Sequence, residues 1–183
     1  MKPNENITLR RDCEAAQVPS GQKMMLPKGT QVRITQSLGG TYTVLTHNGY
    51  LARIAGKDAD ALGEEAPVVT QTDITVEGPE DLEQLVWAQL RTCFDPEIPV
   101  NIVDLGLVYH CQAIPLPQGG NKVEVKFTLT APGCGMGTVL QADMESKILG
   151  LPDVKNVDVE VVFDPPWNQT MMSEAAKLEL GML

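Results

Sequence analysis

One stretch of the chain combines a reactive residue type with a backbone able to activate it: Gly133-Cys134-Gly135-Met136-Gly137, between a predicted strand and a predicted helix. Backbone N–H groups at a helix start lack partners and the dipole there is positive, so a thiolate is stabilised and its pKa falls. Gly133 and Gly135 let a partner or a metal come close to the main chain. Cys134 is therefore the candidate functional thiol. A second cluster, Asp95-Pro96-Glu97-Ile98-Pro99 followed by Asp104-Leu105-Gly106, reads locally as a helix stop and a turn. Its carboxylates could also orient a thiol or supply hard oxygen ligands for iron.

The remaining cysteines fit packing better than chemistry. Cys13, Cys93, Cys111 and Cys134 never form a Cys-x-x-Cys pair, so neither a disulfide framework nor a zinc ribbon is indicated. Cys93 falls on the apolar face of a predicted helix, Cys111 in a half-apolar strand, and Cys13 lies near the N-terminus with no ligand type beside it. A stable iron-sulfur cluster takes four thiolates, and these four cysteines are too scattered to gather around one site. An enzyme with Cys134 as nucleophile needs a base within reach, and only His47 and His110 exist, one in a predicted turn of another module and one in a strand. A dinucleotide fingerprint fails because Thr138 stands where glycine is required. Gly119-Gly120-Asn121-Lys122 lacks the spacing and ending of a phosphate loop. A passive interaction module, docking through Trp167 and the helix after it, is the alternative from a different class.

The elements that must position these residues form a C-terminal αββαβα domain over 78–183, a small mixed sheet with helices packed on it. Gly78-Pro79 with Glu80, Asp81 and Glu83 opens a helix carrying Leu82, Leu85, Val86, Leu90 and Cys93 on one face. It must stop near Phe94, because Asp95-Pro96 and Pro99 cannot continue it. Leu107 to Ile114 reads as a strand. Val123, Val125, Phe127 and Leu129 alternate with polar residues in its partner, which ends at the cysteine loop. Met136, Leu140, Met144 and Ile148 then mark a helix closed by Gly150 and Pro152. Val157, Val159, Val161 and Phe163 mark a third strand, and a short helix is expected from about Thr170 to Leu180.

Residues 1–57 read as a different module, five short strands expected to close into a small SH3-like barrel, with a type I′ hairpin turn at Asn48-Gly49. An acidic connector is assigned to 58–77. Charge follows this division: residues 1–57 carry a net +5, 58–75 a net −5 and 76–183 a net −10. The acidic remainder repels phosphate backbones, which argues against nucleic acid as a partner. With 43% hydrophobic but only 4% aromatic residues, the cores must be aliphatic. No apolar run approaches the roughly 20 residues that span a bilayer, and MKPNENITLRR has no secretion-type hydrophobic stretch, so a cytoplasmic protein off the membrane is expected.

Four ordered motifs carry a family resemblance: Asp95-Pro96-Glu97-Ile98-Pro99, Asp104-Leu105-Gly106-Leu107-Val108-Tyr109, Thr128-Leu129-Thr130-Ala131-Pro132-Gly133-Cys134 and Pro165-Pro166-Trp167. Over residues 79 to 183 the chain resembles the metal-sulfur cluster assembly family that includes SufT and PaaD. It is most like the SufT branch in its tail, Met171-Met172-Ser173-Glu174-Ala175-Ala176-Lys177, and in its front module. The resemblance implies an accessory factor, not an enzyme, in iron-sulfur cluster assembly, with Cys134 as the family cysteine and Asp95, Glu97 and Thr130 beside it. It implies assembly proteins and apo iron-sulfur clients as partners, room for a homo-oligomer, and transient iron or cluster in place of a tightly bound cofactor. Where many members carry a second hydroxyl and a proline the chain has Ala131 and Gly135, so hydrogen bonding and stiffness differ there from the family pattern.

Overall fold

The structure is a computed structural model that describes residues 6–64, 78–95, 98–131, 133 and 135–182. The sequence-predicted site residues Cys134 and Glu97, and most of the acidic connector, lie outside the described residues. The chain divides into two compact units, 1–70 and 71–183.

In the first unit, turn residues separate short alternating segments into six strands: β1 Asn6–Thr8, β2 Cys13–Val18, β3 Lys23–Leu26, β4 Gln31–Leu38, β5 Thr41–Thr46 and β6 Leu51–Ile54. They form one antiparallel sheet in the order β1-β4-β5-β6-β2-β3. The expected closed SH3-like barrel is corrected here, because among the described residues the end strands β1 and β3 do not pair. A 3-10 helix, Gly56–Leu62, contributes Ala59, Ala61 and Leu62 to the same core as Val32, Ile34, Val44, Ala52 and Ile54. Composition places residues 58–62 in the connector. They fold into this unit because their apolar side chains are buried and their acids face Arg11, whose guanidinium donates to Asp58 (2.9 Å) and Asp60 (2.7 Å). The Asn48-Gly49 turn is not type I′, which needs positive φ at both central residues. Only Gly49 has it (φ +82°), and its N–H returns to the Thr46 carbonyl at 2.9 Å, giving a three-residue loop with a left-handed glycine.

In the second unit α1 (Pro79–Leu90) starts with proline in its first turn and Glu80 and Asp81 beside it, and it buries Leu82, Leu85, Val86 and Leu90. It stops three residues before Cys93, because the Thr92 hydroxyl and the Cys93 N–H take the carbonyls of Gln89 and Leu90. Strands β7 (Val108–Pro115) and β8 (Asn121–Phe127) pair antiparallel, and β9 (Val154–Val161) joins β8 in parallel after α2 (Gly137–Leu149). A parallel neighbour demands such a crossover. Ala113, Val123, Val125, Phe127 and Val159 face the buried sides of α1 and α2. The polar residues of β8 and β9 pair with one another: Lys122 reaches Glu124 at 2.7 Å and Asp158 at 3.3 Å, and Lys126 reaches Glu160 at 3.4 Å.

Two expectations in this unit change. Phe163, read as a strand residue, follows the end of β9 and is 52% exposed, because β8 ends at Phe127 and its carbonyl makes the last bond, from the Val162 N–H. The final helix is split into a 3-10 turn, Gln169–Met171, and α3, Glu174–Glu179. Each piece has its own cap, Asn168 accepting from the Thr170 N–H and Ser173 from the Ala176 N–H, which stops one helix and starts the next.

Candidate functional site

Two arms lead to the region where the sequence places its site. The first runs from the end of α1 to Asp95. Phe94 bridges antiparallel to Asn101, and the Ile102 N–H donates to the Cys93 carbonyl at 2.9 Å, so the chain between them returns on itself. Asp95 is buried within it, 7% exposed. The second arm leaves β8: the Thr128 N–H donates to the Leu107 carbonyl at 2.8 Å, Thr128 and Leu129 are buried, and Thr130 is half-buried. Gly133 is exposed in the left-handed region (φ +81°), with open space where a side chain would stand. Gly135 is half-buried, and its carbonyl accepts from the Thr138 hydroxyl at 3.3 Å. Gly137 begins α2 close enough to the strand end that a Cβ would meet Leu129 at 3.0 Å. No side chain caps α2, and its first turn holds no acid to complement the positive end of the dipole.

Both arms hang from one turn, 101–107. Asn101 shapes it: its Oδ1 accepts from the N–H groups of Val103 (3.1 Å) and Asp104 (2.9 Å), and its Nδ2 donates to Asp104 Oδ2 (2.6 Å). The Leu107 N–H closes it onto the Ile102 carbonyl at 3.0 Å. Asn101 was not singled out from the sequence, although an asparagine two and three residues before backbone donors is a known turn former and the signal was there to find. Trp167, expected on a docking surface, attaches to the same turn. It is half-buried against the core, and its indole N–H donates to the Leu105 carbonyl at 2.8 Å. The segment around it is held at three further points: the Tyr109 hydroxyl donates to the Pro165 carbonyl (2.8 Å), the Ser173 N–H to the Asp104 carbonyl (2.8 Å), and Gly106 lies against Met171.

The three described cysteines are unsuited to ligation or attack in the folded chain. Burial, then the nearby Asp58, pushes the Cys13 thiol up to about 11. Burial, then Glu83, pushes Cys111 up to about 12. Cys93 is fully buried with its Sγ toward the Gln89 carbonyl at 3.8 Å. Among the described residues no three His, Cys, Asp or Glu side chains cluster as a metal site, and no helix is long and apolar enough to cross a membrane. His110 is exposed on β7.

The motif resemblance is matched by comparison with known proteins. Residues 83–161, all within the second unit, match the family model described as iron-sulfur cluster assembly protein. An Fe-S protein maturation auxiliary factor of Porphyromonas gingivalis is 43% identical over 101 residues, 55% of this chain and 92% of that protein. The chain belongs to the iron-sulfur cluster assembly protein family. Within that family it is also similar to the Fe-S protein maturation auxiliary factor SufT of Staphylococcus aureus, 35% identical over 48% of this chain and 96% of that protein. A crystal structure of a domain of unknown function from Bacillus anthracis has the same fold, with a TM-score of 0.50 and 36% identity over 57% of this chain and 96% of that one. Seen on this family's fold, the four motifs divide into two groups. Asp95 and Thr130 lie on the two arms, whereas Gly106, Tyr109 and Trp167 bind the turn and the tail to each other.

Proposed function

We propose that this protein is an accessory factor in the maturation of iron-sulfur proteins, and that Cys134 is its working thiol, a transient ligand to iron or a cluster or the group that engages an apo client. Iron or cluster is then cargo, held by a thiolate whose proton is released on binding. Asp95, Glu97 and Thr130 support the thiol from the two arms, and Gly133 and Gly135 leave the approach open. The partners are assembly proteins and apo clients, with other copies of the chain able to share a cluster, and the compartment is the cytoplasm. The observation that carries the reading is the state of the other cysteines: Cys13 and Cys111 are held protonated and Cys93 is sealed in the core, which leaves Cys134, just ahead of an uncapped helix start, for thiol chemistry.

A second reading, a passive adaptor docking through Trp167 and the C-terminal helix, is favoured by Leu178 on α3, which is 68% exposed. Anaerobic loading with ferrous iron and sulfide, followed by transfer to an apo iron-sulfur enzyme, separates the two. Loss of both loading and transfer in Cys134→Ser supports the carrier. Loss of client maturation without any loading by the wild type makes Cys134 a client-engaging thiol. A fully active Cys134→Ser chain with an inactive Leu178→Asp chain points to the adaptor.

A further inference from the structure

We infer that Trp167 is a positioning residue for the site, acting through the 101–107 turn instead of touching cargo or partner. The inference rests on the reading of Cys134 as the working thiol. The geometry runs in a closed sequence. The indole N–H holds the Leu105 carbonyl, and the Ser173 N–H holds the carbonyl of Asp104 one residue earlier, so the outer side of the turn is fixed at two adjacent peptide groups. From the inner side of that turn, Asn101 pairs with Phe94, the neighbour of Asp95, and the Leu107 carbonyl receives the Thr128 N–H, two residues before Thr130. Displacing the turn therefore shifts both arms together. Both arms are thus bonded to the same turn, one at Asn101 and Ile102 and the other at Leu107. Tyr109 adds a restraint from β7 by donating to the Pro165 carbonyl two residues before the tryptophan.

The test is Trp167→Phe, which keeps an aromatic ring against the core and removes the donor together with part of the indole's bulk. Tyr109→Phe, which loses one surface hydroxyl, serves as the milder second variant. Ile148→Val, a fully buried core change on α2, is chosen as a control for lost stability. Three quantities are read on full-length protein: amide exchange in segments 93–95 and 128–131, the iodoacetamide alkylation rate of Cys134 at one fixed pH, and cluster delivery to an apo enzyme. Loss of one neutral hydrogen bond should speed exchange on the order of fivefold in both segments, with altered alkylation and weaker delivery. Tyr109→Phe should give a smaller change of the same kind, and Ile148→Val should lower the melting temperature without the paired change. Unchanged exchange and alkylation in Trp167→Phe overturns the inference. So does weakened client binding with both segments undisturbed, which makes Trp167 a docking residue. Paired loosening of the segments in a protein whose Cys134→Ser form delivers clusters normally keeps the positioning role and removes the thiol reading.

Discussion

Gly106→Ala should be among the most damaging single-methyl changes in the second unit. Gly106 sits at φ +72°, where an L side chain costs roughly 1–2 kcal/mol. The added Cβ would also run into the backbone carbonyl of Met171, so the tail must move away from the turn. Moving it strains the bonds from Trp167 to Leu105 and from Ser173 to Asp104, each worth about 1 kcal/mol. It also uncovers part of Met172, now 6% exposed, whose full burial is worth about 1.5–3 kcal/mol. The expected loss is about 4 kcal/mol, a large share of the roughly 5–15 kcal/mol that holds a typical domain. Urea unfolding followed by tryptophan fluorescence measures it for this unit alone, since both tryptophans, Trp87 and Trp167, lie there. Two companion variants separate the causes. Gly106→Asn relieves much of the φ cost but not the collision, and Met171→Ala shortens a side chain but leaves the obstructing carbonyl. Neither substitution should restore stability. A loss of about 1 kcal/mol or less in Gly106→Ala, or near-complete recovery with asparagine, would refute the close seating of the tail on the turn.

Other predictions concern the sheet edge and the thiols. Glu83 on α1 accepts the N–H of Ala113 at 2.9 Å on the edge strand β7, so Glu83→Ala should cost about 1–3 kcal/mol and promote concentration-dependent aggregation, read by melting and light scattering, while Glu83→Gln should be mild. Iodoacetamide at neutral pH should label Cys134 in native protein and reach Cys13, Cys93 and Cys111 only after unfolding, which peptide mass spectrometry resolves; rapid native labelling of Cys111, which is half-buried, would contradict its raised thiol. The raised thiols of Cys13 and Cys111 favour the protonated fold, so their contribution is complete below about 9 and is lost as pH rises toward about 11 and about 12. Urea midpoints should therefore fall above pH 9, and Cys111→Ala should flatten that decline for the second unit.

Much of the second unit was legible because its signals are periodic. The apolar face of α1, the alternation in β8 and the four-residue spacing from Leu140 to Ile148 each report burial along one element, and burial follows the same spacings in the structure. Features set by contacts distant in sequence were not legible. The alternation that ended in Phe163 could not reveal that β8 runs out of backbone to pair with it. The acids at 58 and 60 look like solvated linker until Arg11 is brought to them. A dipeptide statistic suggested a two-residue turn at Asn48-Gly49, but the bond from Gly49 to Thr46 selects a longer one. For the site, local sequence offered Cys134 and the acidic cluster, while the association of Asp95 with Thr130 came from family resemblance. The backbone bonds that join the two segments to one turn are long-range and carry no local signal.

That shared turn carries weight in this chain because Ala131, Gly133 and Gly135, described residues of the cysteine loop, add few restraints of their own. Ala131 supplies no hydroxyl, Gly135 supplies no ring to fix its backbone, and Gly133 stands in open space. The Thr138 hydroxyl donates to the Gly135 carbonyl over a long 3.3 Å. The loop's described roots are Gly137, pressed against Leu129 on the helix side, and Thr128, bonded to Leu107 on the strand side. The second root is only as firm as the turn that bears Leu107, and that turn is held from outside by Trp167 and Ser173. Replacing Gly135 by proline should accordingly make the protein less sensitive to Trp167→Phe, because a loop with its own rigidity depends less on where its strand-side root is held. Equal sensitivity in the two backgrounds, measured as the Cys134 alkylation rate, would mean that the loop takes its shape from the helix side alone.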